Sequence, residues 1–141
     1  MMKIRRETDY AIRAIHALAN AHGEALLSKE IASKESIPQT YILTIMSVLK
    51  NAEIVTVVRR KGESKGGYVL RADLNDISLY DVVHAFEGDI AINTCLKNKD
   101  DCTCRKKCKM RKEMNRINEE LINQMKKNSI QKVFEDSIET I

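Results

Sequence analysis

The chain has 141 residues, enough for one compact domain or a small domain with an appended helix. Its 43% hydrophobic and 31% charged residues exclude a disordered tail, and no apolar run approaches the roughly 20 residues that span a bilayer. The 24 Lys and Arg against 20 Asp and Glu give a formal charge of +4, a modest excess that only weakly favours a polyanionic partner.

Three helices are predicted in the first part of the chain. Apolar residues that recur every three or four positions predict a helix that begins within residues 7–9 and runs to about residue 21. A second short helix is predicted over residues 28–36, with the Ser28 hydroxyl accepting from the backbone N–H groups of its first turn. Pro38 is a favourable first residue for a third helix, over residues 38–51, because its missing N–H costs nothing there. Two short helices so closely spaced form a helix-turn-helix signature.

A basic β-hairpin is predicted after these helices. The β-branched residues 54–58 predict one strand and residues 68–70 a second, and the segment between them carries Arg59, Arg60, Lys61 and Lys65. This order is typical of a winged helix, in which the third helix fits the major groove and the hairpin places cations against phosphates or in the adjacent minor groove. Only 4% of the residues are aromatic, which disfavours a stacking-based reader of single strands or RNA, so double-stranded DNA is the predicted partner.

The second half of the chain predicts a short helix and a long one. Ser78 and Asp81 indicate a capping box at the start of the short helix, and Gly88 ends it. The long helix follows Cys108 and carries a narrow apolar seam flanked by charges, made of Met110, Met114, Ile117, Leu121 and Met125. Because so small a domain is not expected to cover that seam, we predict a homodimer; the alternative is that the seam folds back onto its own domain.

The predicted fold is mainly α with a small β-hairpin. A winged helix-turn-helix DNA-binding domain is expected over residues 1–75, and a cysteine-loop sensor with dimerisation helices over residues 76–141. The sequence shows no Ser-His-Asp ordering, phosphate loop or paired catalytic carboxylates, so an enzyme is not predicted.

All four cysteines lie between Cys95 and Cys108. The amino terminus lacks the apolar core of a signal peptide, so we expect a cytoplasmic protein, in which clustered thiols indicate a metal or redox site before disulfides. An iron–sulfur cluster is the favoured interpretation, with the neighbouring Lys and Arg side chains offsetting the negative charge of its thiolates. Structural zinc, a thiol–disulfide switch and unrelated surface thiols remain alternatives, although only Cys104 and Cys108 have a spacing typical of zinc ligands.

The whole chain resembles the Rrf2 family of bacterial winged-helix regulators, over residues 1–135. The matching pieces are Thr8-Asp9-Tyr10-Ala11, residues 37–49, Gly66-Gly67-Tyr68, residues 77–83 and Phe86-Glu87-Gly88. The resemblance implies a dimeric transcriptional regulator, a repressor, that binds a palindromic operator.

The resemblance also implies a set of cluster ligands. In the cluster-bearing members three cysteines bind the cluster, the last two separated by five residues, which nominates Cys95, Cys102 and Cys108. Cys104 is an additional thiol, which could replace Cys102, serve as a fourth ligand or be free. A four-iron four-sulfur cluster is favoured over a two-iron two-sulfur one, and the signals implied are nitric oxide, oxygen or redox state, and iron–sulfur status.

The fourth ligand differs within the family. Asp9 stands where the nitric-oxide sensor type takes an aspartate from the other subunit, and Cys104, Glu7 and His16 are further candidates. The ordinary interpretation of Asp9 is a carboxylate that the macrodipole favours at the start of a helix. The alternative function is a regulator of the same fold without a cluster, controlled by thiol–disulfide chemistry or by a partner protein.

The DNA-contacting residues are expected at the starts of the second and third helices and on the hairpin. The resemblance places Thr40 and Tyr41 at the groove and Arg59 at the wing. The complete predicted set is Ser28, Lys29, Gln39, Thr40, Tyr41, Arg59, Arg60, Lys61 and Lys65.

Overall fold

Three helices and a hairpin form the first half of the molecule. The computed structural model describes residues 4–59, 66–92 and 109–135. In it, α1 (Arg6–Asn20), α2 (Ser28–Glu35) and α3 (Gln39–Asn51) precede β1 (Val55–Arg59) and β2 (Gly66–Leu70). The two strands pair antiparallel with Val57 opposite Tyr68, and Leu26 bridges to Tyr68 through backbone N···O distances of 3.1 and 2.8 Å. The predicted mainly helical fold with one hairpin is confirmed.

Three further helices lie in the described part of the second half, and the last of them packs against the start of the first. They are α4 (Leu79–Glu87), α5 (Lys109–Lys127) and α6 (Ile130–Glu135). The Leu79 N–H donates to the Asn128 carbonyl at 2.7 Å, and the Ile130 N–H donates to the Ile77 carbonyl at 2.8 Å. These hydrogen bonds fasten the end of α5 and the start of α6 to the beginning of α4. None of the helices in the described ranges is long and apolar enough to cross a membrane.

One apolar core joins the two halves. Ile15 of α1, Ile45 of α3 and Val82 of α4 are fully buried in it, together with Ile130 of α6. Burial of such side chains is the main stabilising contribution, each worth roughly 1.5–3 kcal/mol. Residues from both sides of position 75 contribute to this core, and position 75 is where we predict the boundary between the DNA-binding and sensor parts.

The first turn of α2 contradicts one sequence prediction, and the first turn of α4 confirms another. Ser28 does not cap α2, because Leu27 is the residue before the helix and its N–H donates to the Glu30 carboxylate at 3.0 Å. The prediction for Ser78 is confirmed: its hydroxyl accepts from the Asp81 N–H at 3.1 Å, and the Ser78 N–H donates to the Asp81 carboxylate at 2.9 Å.

The start of α3 differs by one residue from the sequence prediction. Pro38 is predicted as the first helical residue, but it has extended backbone angles (φ −59°, ψ 138°) and precedes the helix, which begins at Gln39. The fixed φ of Pro38 suits both positions, so its residue type alone does not distinguish them.

Candidate functional site

The outward face of α3 is polar and carries no acidic side chain. The helix buries Ile42, Ile45, Met46 and Leu49, each at most 1% exposed, against α1 and α4. Its exposed residues include Gln39, Thr40, Leu43, Thr44, Ser47 and Lys50. Hydroxyl, amide and ammonium groups without carboxylates are suited to a groove lined by phosphates and base edges. Gln39 and Thr40 are exposed on this face, and their contacts with DNA stay predictions.

A tight turn sets the position of α3 relative to α2. Ser36 has left-handed backbone angles (φ 55°, ψ 43°), and Ile37 is buried at 4% exposure with its N–H donating to the Ala32 carbonyl at 2.9 Å. The buried Ile37 side chain anchors this turn in the core. At the other end of α2, Ser28 is half-buried and Lys29 is exposed, so the Lys29 side chain is accessible for the DNA contact that we predict.

Tyr41 forms part of the contact between α1 and α3. It is half-buried, and its ring centroid lies 5.3 Å from that of Tyr10 at an interplanar angle of 53°. The Arg13 guanidinium lies 5.6 Å from the centroid of the Tyr10 ring, and Arg13 Nη2 is 3.0 Å from Asp9 Oδ2. Continuous contacts therefore connect Asp9 to Tyr41, a predicted DNA contact. We call Asp9, Tyr10, Arg13 and Tyr41 the α1–α3 relay; its central members, Tyr10 and Arg13, were not among the predicted site residues.

The wing begins at an exposed arginine. Arg59 ends β1 and pairs with Gly66, while Arg60, Lys61 and Lys65 lie outside the described residues. A Cβ on Gly66 would come within 2.7 Å of Val57 Cγ1 and 3.0 Å of the Val58 carbonyl oxygen. A glycine at this position therefore lets the two strands approach closely beside Arg59.

The segment that carries the cysteines lies outside the described residues, but the chain just before it is hydrogen-bonded to α5, the helix that follows it. Asn118 of α5 is buried at 5% exposure; its Oδ1 accepts from the Ile92 N–H at 2.9 Å and its Nδ2 donates to the Ile90 carbonyl at 3.0 Å. The described chain resumes at Lys109, directly after Cys108, nine residues before Asn118 on the same helix. At 1.5 Å per residue these two points are about 14 Å apart along the axis of α5.

Asn118 was not predicted to be important. An Asn on a charged helix is usually exposed, and its two partners lie 26 and 28 residues away in sequence, so the sequence gives no local signal for its burial.

A second anchor joins the amino terminus to the end of α4. The Glu87 carboxylate accepts from the Arg5 N–H at 2.7 Å, from Arg5 Nε at 3.1 Å and from the Thr8 hydroxyl at 3.0 Å. Burial raises the pKa of Glu87, but the hydrogen bonds from Arg5 and Thr8 and the Arg5 charge outweigh it and hold that pKa below its ordinary value. The anchor places the start of α1 beside the chain that continues toward the cysteine segment.

The described ranges do not by themselves form a metal site. In residues 4–59, 66–92 and 109–135, no three His, Cys, Asp or Glu side chains come together as ligands. Asp9 is 58% exposed and ion-paired with Arg13, and His16 Nδ1 lies 2.7 Å from Glu35 Oε1. The ligand assignments for Cys95, Cys102, Cys104 and Cys108 fall outside these ranges and stay predictions, as do those for Asp9, Glu7 and His16.

The apolar seam predicted on α5 is divided between two environments. Met125 is buried within its own chain at 9% exposure, on the same face as Asn118, seven residues earlier. Met110 and Ile117, also seven residues apart, are 63% and 41% exposed. Part of the seam thus folds back onto its own domain, as in the alternative that we considered, and the remainder forms an exposed apolar stripe.

Comparison with known proteins identifies the family. The profile described as "Rrf2: Iron-dependent Transcriptional regulator" matches residues 4–136. The chain belongs to the Rrf2 family. An rrf2-like HTH-type transcriptional regulator of Rhodobacter capsulatus is 30% identical over 118 residues, 77% of each chain. CymR of Bacillus subtilis is 31% identical over 100 residues, 70% of each chain, and IscR of Vibrio campbellii is 28% identical over 108 residues, 76% of this chain and 62% of the relative.

Solved structures of Rrf2-family relatives share the fold. The global cysteine regulator CymR of B. subtilis superposes with a TM-score of 0.73 at 24% identity, over 98% of this chain and 100% of that one. IscR of T. potens gives 0.67 at 19% identity, over 98% and 90%, and the oxidized form of Staphylococcus aureus CymR gives 0.68 at 22% identity, over 99% and 100%. This Rrf2-family protein is therefore a winged helix-turn-helix, DNA-binding transcriptional regulator and not an enzyme, as predicted.

Proposed function

We propose that this Rrf2-family protein is a homodimeric repressor whose affinity for a palindromic operator is controlled by an iron–sulfur cluster. The proposed ligands are Cys95, Cys102 and Cys108, with Asp9 of the partner subunit as the fourth. The observation that carries the proposal is the Asn118 anchor. Asn118 fastens the residues just before the cysteine segment to α5, the helix that begins just after that segment. A change in the conformation of the segment would therefore act directly on the position of α5.

The donor set fits such a cluster chemically. Thiolates are the usual ligands of iron–sulfur clusters, and four thiols lie within fourteen residues, between Cys95 and Cys108. The exposed Asp9 carboxylate is accessible to a partner subunit, although it must first leave Arg13. When bound, the cluster supplies a centre that reacts with nitric oxide or oxygen and is lost when iron is scarce.

The chain's own residues would carry that signal to DNA by two routes. The first is α5, whose exposed stripe at Met110 and Ile117 we assign to the dimer interface. Pairing through this stripe would make the position of α5 set the spacing of the two recognition helices. The second is the α1–α3 relay: when Asp9 leaves Arg13 to bind the cluster, Arg13 loses its ion pair while it lies against Tyr10, which packs on Tyr41 at the start of α3. Since both half-sites must be engaged together, a small change in spacing or tilt produces a large change in affinity.

Anaerobic purification tests the cluster directly. We expect a brown protein that contains iron and acid-labile sulfide, and whose affinity for operator DNA, measured by fluorescence anisotropy, changes on treatment with nitric oxide or an iron chelator. Cys95→Ser and Cys108→Ser should abolish both the colour and the response. Cys104→Ser is the matched control, because it removes a thiol from the same segment and should retain both. A colourless protein with stoichiometric zinc would contradict the proposal.

A second candidate function is favoured by the similarity to CymR, one of whose structures is of an oxidized form. In that case thiols such as Cys102 and Cys104, or a partner protein, would control DNA binding without a cluster. The discriminating measurement is the treatment that restores DNA binding to air-oxidised protein. Restoration by dithiothreitol alone supports thiol control, whereas a requirement for iron and sulfide supports the cluster.

A further inference from the structure

The imidazole of His16 on α1 connects α6 to the carboxyl end of α2. The ring of Phe134 on α6 is half-buried, and its centroid lies 5.0 Å from that of His16 at an interplanar angle of 71°. His16 Nδ1 lies 2.7 Å from Oε1 of Glu35, the last residue of α2, and His16 Nε2 lies 3.3 Å from Asn20 Nδ2. Both ring nitrogens therefore have partners, which hold the imidazole in one orientation. We call Phe134, His16 and Glu35 the α6 brace.

Glu35 lies at the turn that sets the position of α3. It directly precedes Ser36, the left-handed residue of that turn, and Ile37, whose N–H donates to the Ala32 carbonyl at 2.9 Å. A carboxylate at the last residue of a helix is opposed by the helix dipole, which favours a cation there. The Glu35 side chain is nevertheless only 19% exposed, and its contact with His16 offsets this cost. The α6 brace thus ends on the turn between the two helices of the helix-turn-helix.

The other end of α6 is hydrogen-bonded to the chain between β2 and α4. Ile130 is fully buried and its N–H donates to the Ile77 carbonyl at 2.8 Å, while the Gln131 N–H donates to the Leu74 carbonyl at 3.2 Å. Only two residues, 128 and 129, separate α6 from α5. A displacement of the end of α5 would therefore move α6, and with it the Phe134 ring.

We infer that Phe134, His16 and Glu35 are positioning residues for DNA binding, which hold the end of α2, and through it α3, without themselves contacting DNA. Contacts to base edges require a recognition helix held to within about 0.5 Å, whereas attraction to phosphates tolerates a change in orientation. Loss of the brace should therefore reduce binding to a preferred sequence and spare binding to random DNA. The inference rests on DNA binding by this protein and is independent of the cluster.

Phe134→Leu tests the brace, because it removes the ring but keeps an apolar side chain on α6. The full chain, in its DNA-binding form, is first used to select a preferred duplex from a random library. Dissociation constants are then measured for that duplex and for a random duplex of the same length, well below the thermal midpoint of every variant. We expect about fivefold weaker binding to the selected duplex, the value for loss of one aromatic pair, and unchanged binding to the random duplex.

His16→Phe separates the two contacts of the brace. It keeps a ring against Phe134 but cannot hydrogen-bond to Glu35, so it should weaken binding to the selected duplex by a similar factor. Combining it with Phe134→Leu should cause little further loss, because both substitutions break the same connection. In both single variants the Ile37 amide should exchange its hydrogen faster relative to the Ile45 amide in the core, because the turn opens locally.

Val133→Ala is the control, because it trims a half-buried apolar side chain of the same helix and leaves the Phe134 ring in place. It should leave both dissociation constants unchanged. An unchanged ratio of the two affinities in Phe134→Leu and His16→Phe would overturn the inference, and so would a lower ratio without faster exchange at Ile37. Loss of the response to nitric oxide or chelation, with the effects of the brace variants as expected, would overturn the cluster proposal alone.

Discussion

At the scale of single residues, Glu87 makes the amino-terminal anchor sensitive to pH. Because its folded-state pKa is lowered, the carboxylate stabilises the fold above the unfolded pKa of about 4.3, and this contribution is lost as the pH falls through the lower, folded value. Glu87→Gln should therefore lower the free energy of unfolding at pH 7 by roughly 1–2 kcal/mol and make stability less dependent on pH in the acid range. Urea denaturation at pH 7 and at pH 3.5 measures both effects.

The control for this prediction is Glu24→Gln, which neutralises an exposed carboxylate in the turn after α1. It should leave the unfolding curves within experimental error of the wild type. Parallel pH dependence in wild type and Glu87→Gln would show that the anchor does not titrate as predicted.

The hydrogen bonds of single side chains could be predicted from the sequence only where the two bonded residues are close together in the chain. Ser78 and Asp81 are three residues apart, so their capping box is visible in the sequence and is confirmed. The interactions of Glu87 join residues 79 and 82 positions apart, and they depend on how α1 lies against α4. The prediction for Ser28 was wrong by one position, because Leu27 is the capping residue and Ser28 is already the first residue of the helix.

At the scale of elements, the packing of Tyr10 on Tyr41 ties the orientation of α3 to α1. Tyr10→Leu removes the ring pair but keeps an apolar side chain, and aromatic pairs contribute about 0.5–1.5 kcal/mol beyond their buried area. We expect a loss of about 1 kcal/mol in the free energy of unfolding and several-fold weaker operator binding. Urea denaturation and fluorescence anisotropy measure the two quantities.

A double-mutant cycle separates this packing role from direct DNA contact. If Tyr10 acts through Tyr41, the effects of Tyr10→Leu and Tyr41→Leu on stability will be less than additive. Tyr41→Phe preserves the ring contact, so it should keep the stability and lower the affinity only through loss of the hydroxyl. Fully additive effects on stability would contradict the relay between the two helices.

Apolar periodicity predicted three of the helices, but not how the faces of α5 are divided. The three- and four-residue spacing of apolar residues placed α1, α3 and the long helix within a few residues of their observed bounds. The seam was predicted as one surface because Met110, Ile117 and Met125 recur at helical spacing. Hydrogen bonds from Asn118 to residues 90 and 92, and those joining residues 128 and 130 to residues 79 and 77, hold one face of α5 against α4 and the chain that follows it. These partners are distant in sequence, so no periodic pattern predicts which part of the seam they cover.

At the scale of the whole molecule, the exposed stripe on α5 is where a second copy is expected to bind. Ile117 and Leu121 also line an open surface groove of about 500 Å³, together with the polar side chains of Glu120, Gln124 and Lys127. An apolar centre with a charged rim is typical of helix-to-helix dimer interfaces. Pairing through this face would bring two recognition helices to one duplex, which the palindromic operator in our proposal requires.

Ile117→Glu tests this interface, because it places a charge at the centre of the stripe without removing a buried side chain. We expect a monomer by sedimentation equilibrium with an unchanged thermal midpoint, at least tenfold weaker binding to a two-half-site operator, and unchanged binding to a single half-site. Asn115→Glu adds the same charge to an exposed position elsewhere on α5 and should stay dimeric. Two helices cannot bury an unpaired glutamate at their contact without a large loss of association energy. An Ile117→Glu protein that stays dimeric and binds the operator with normal affinity would therefore place the interface on another surface.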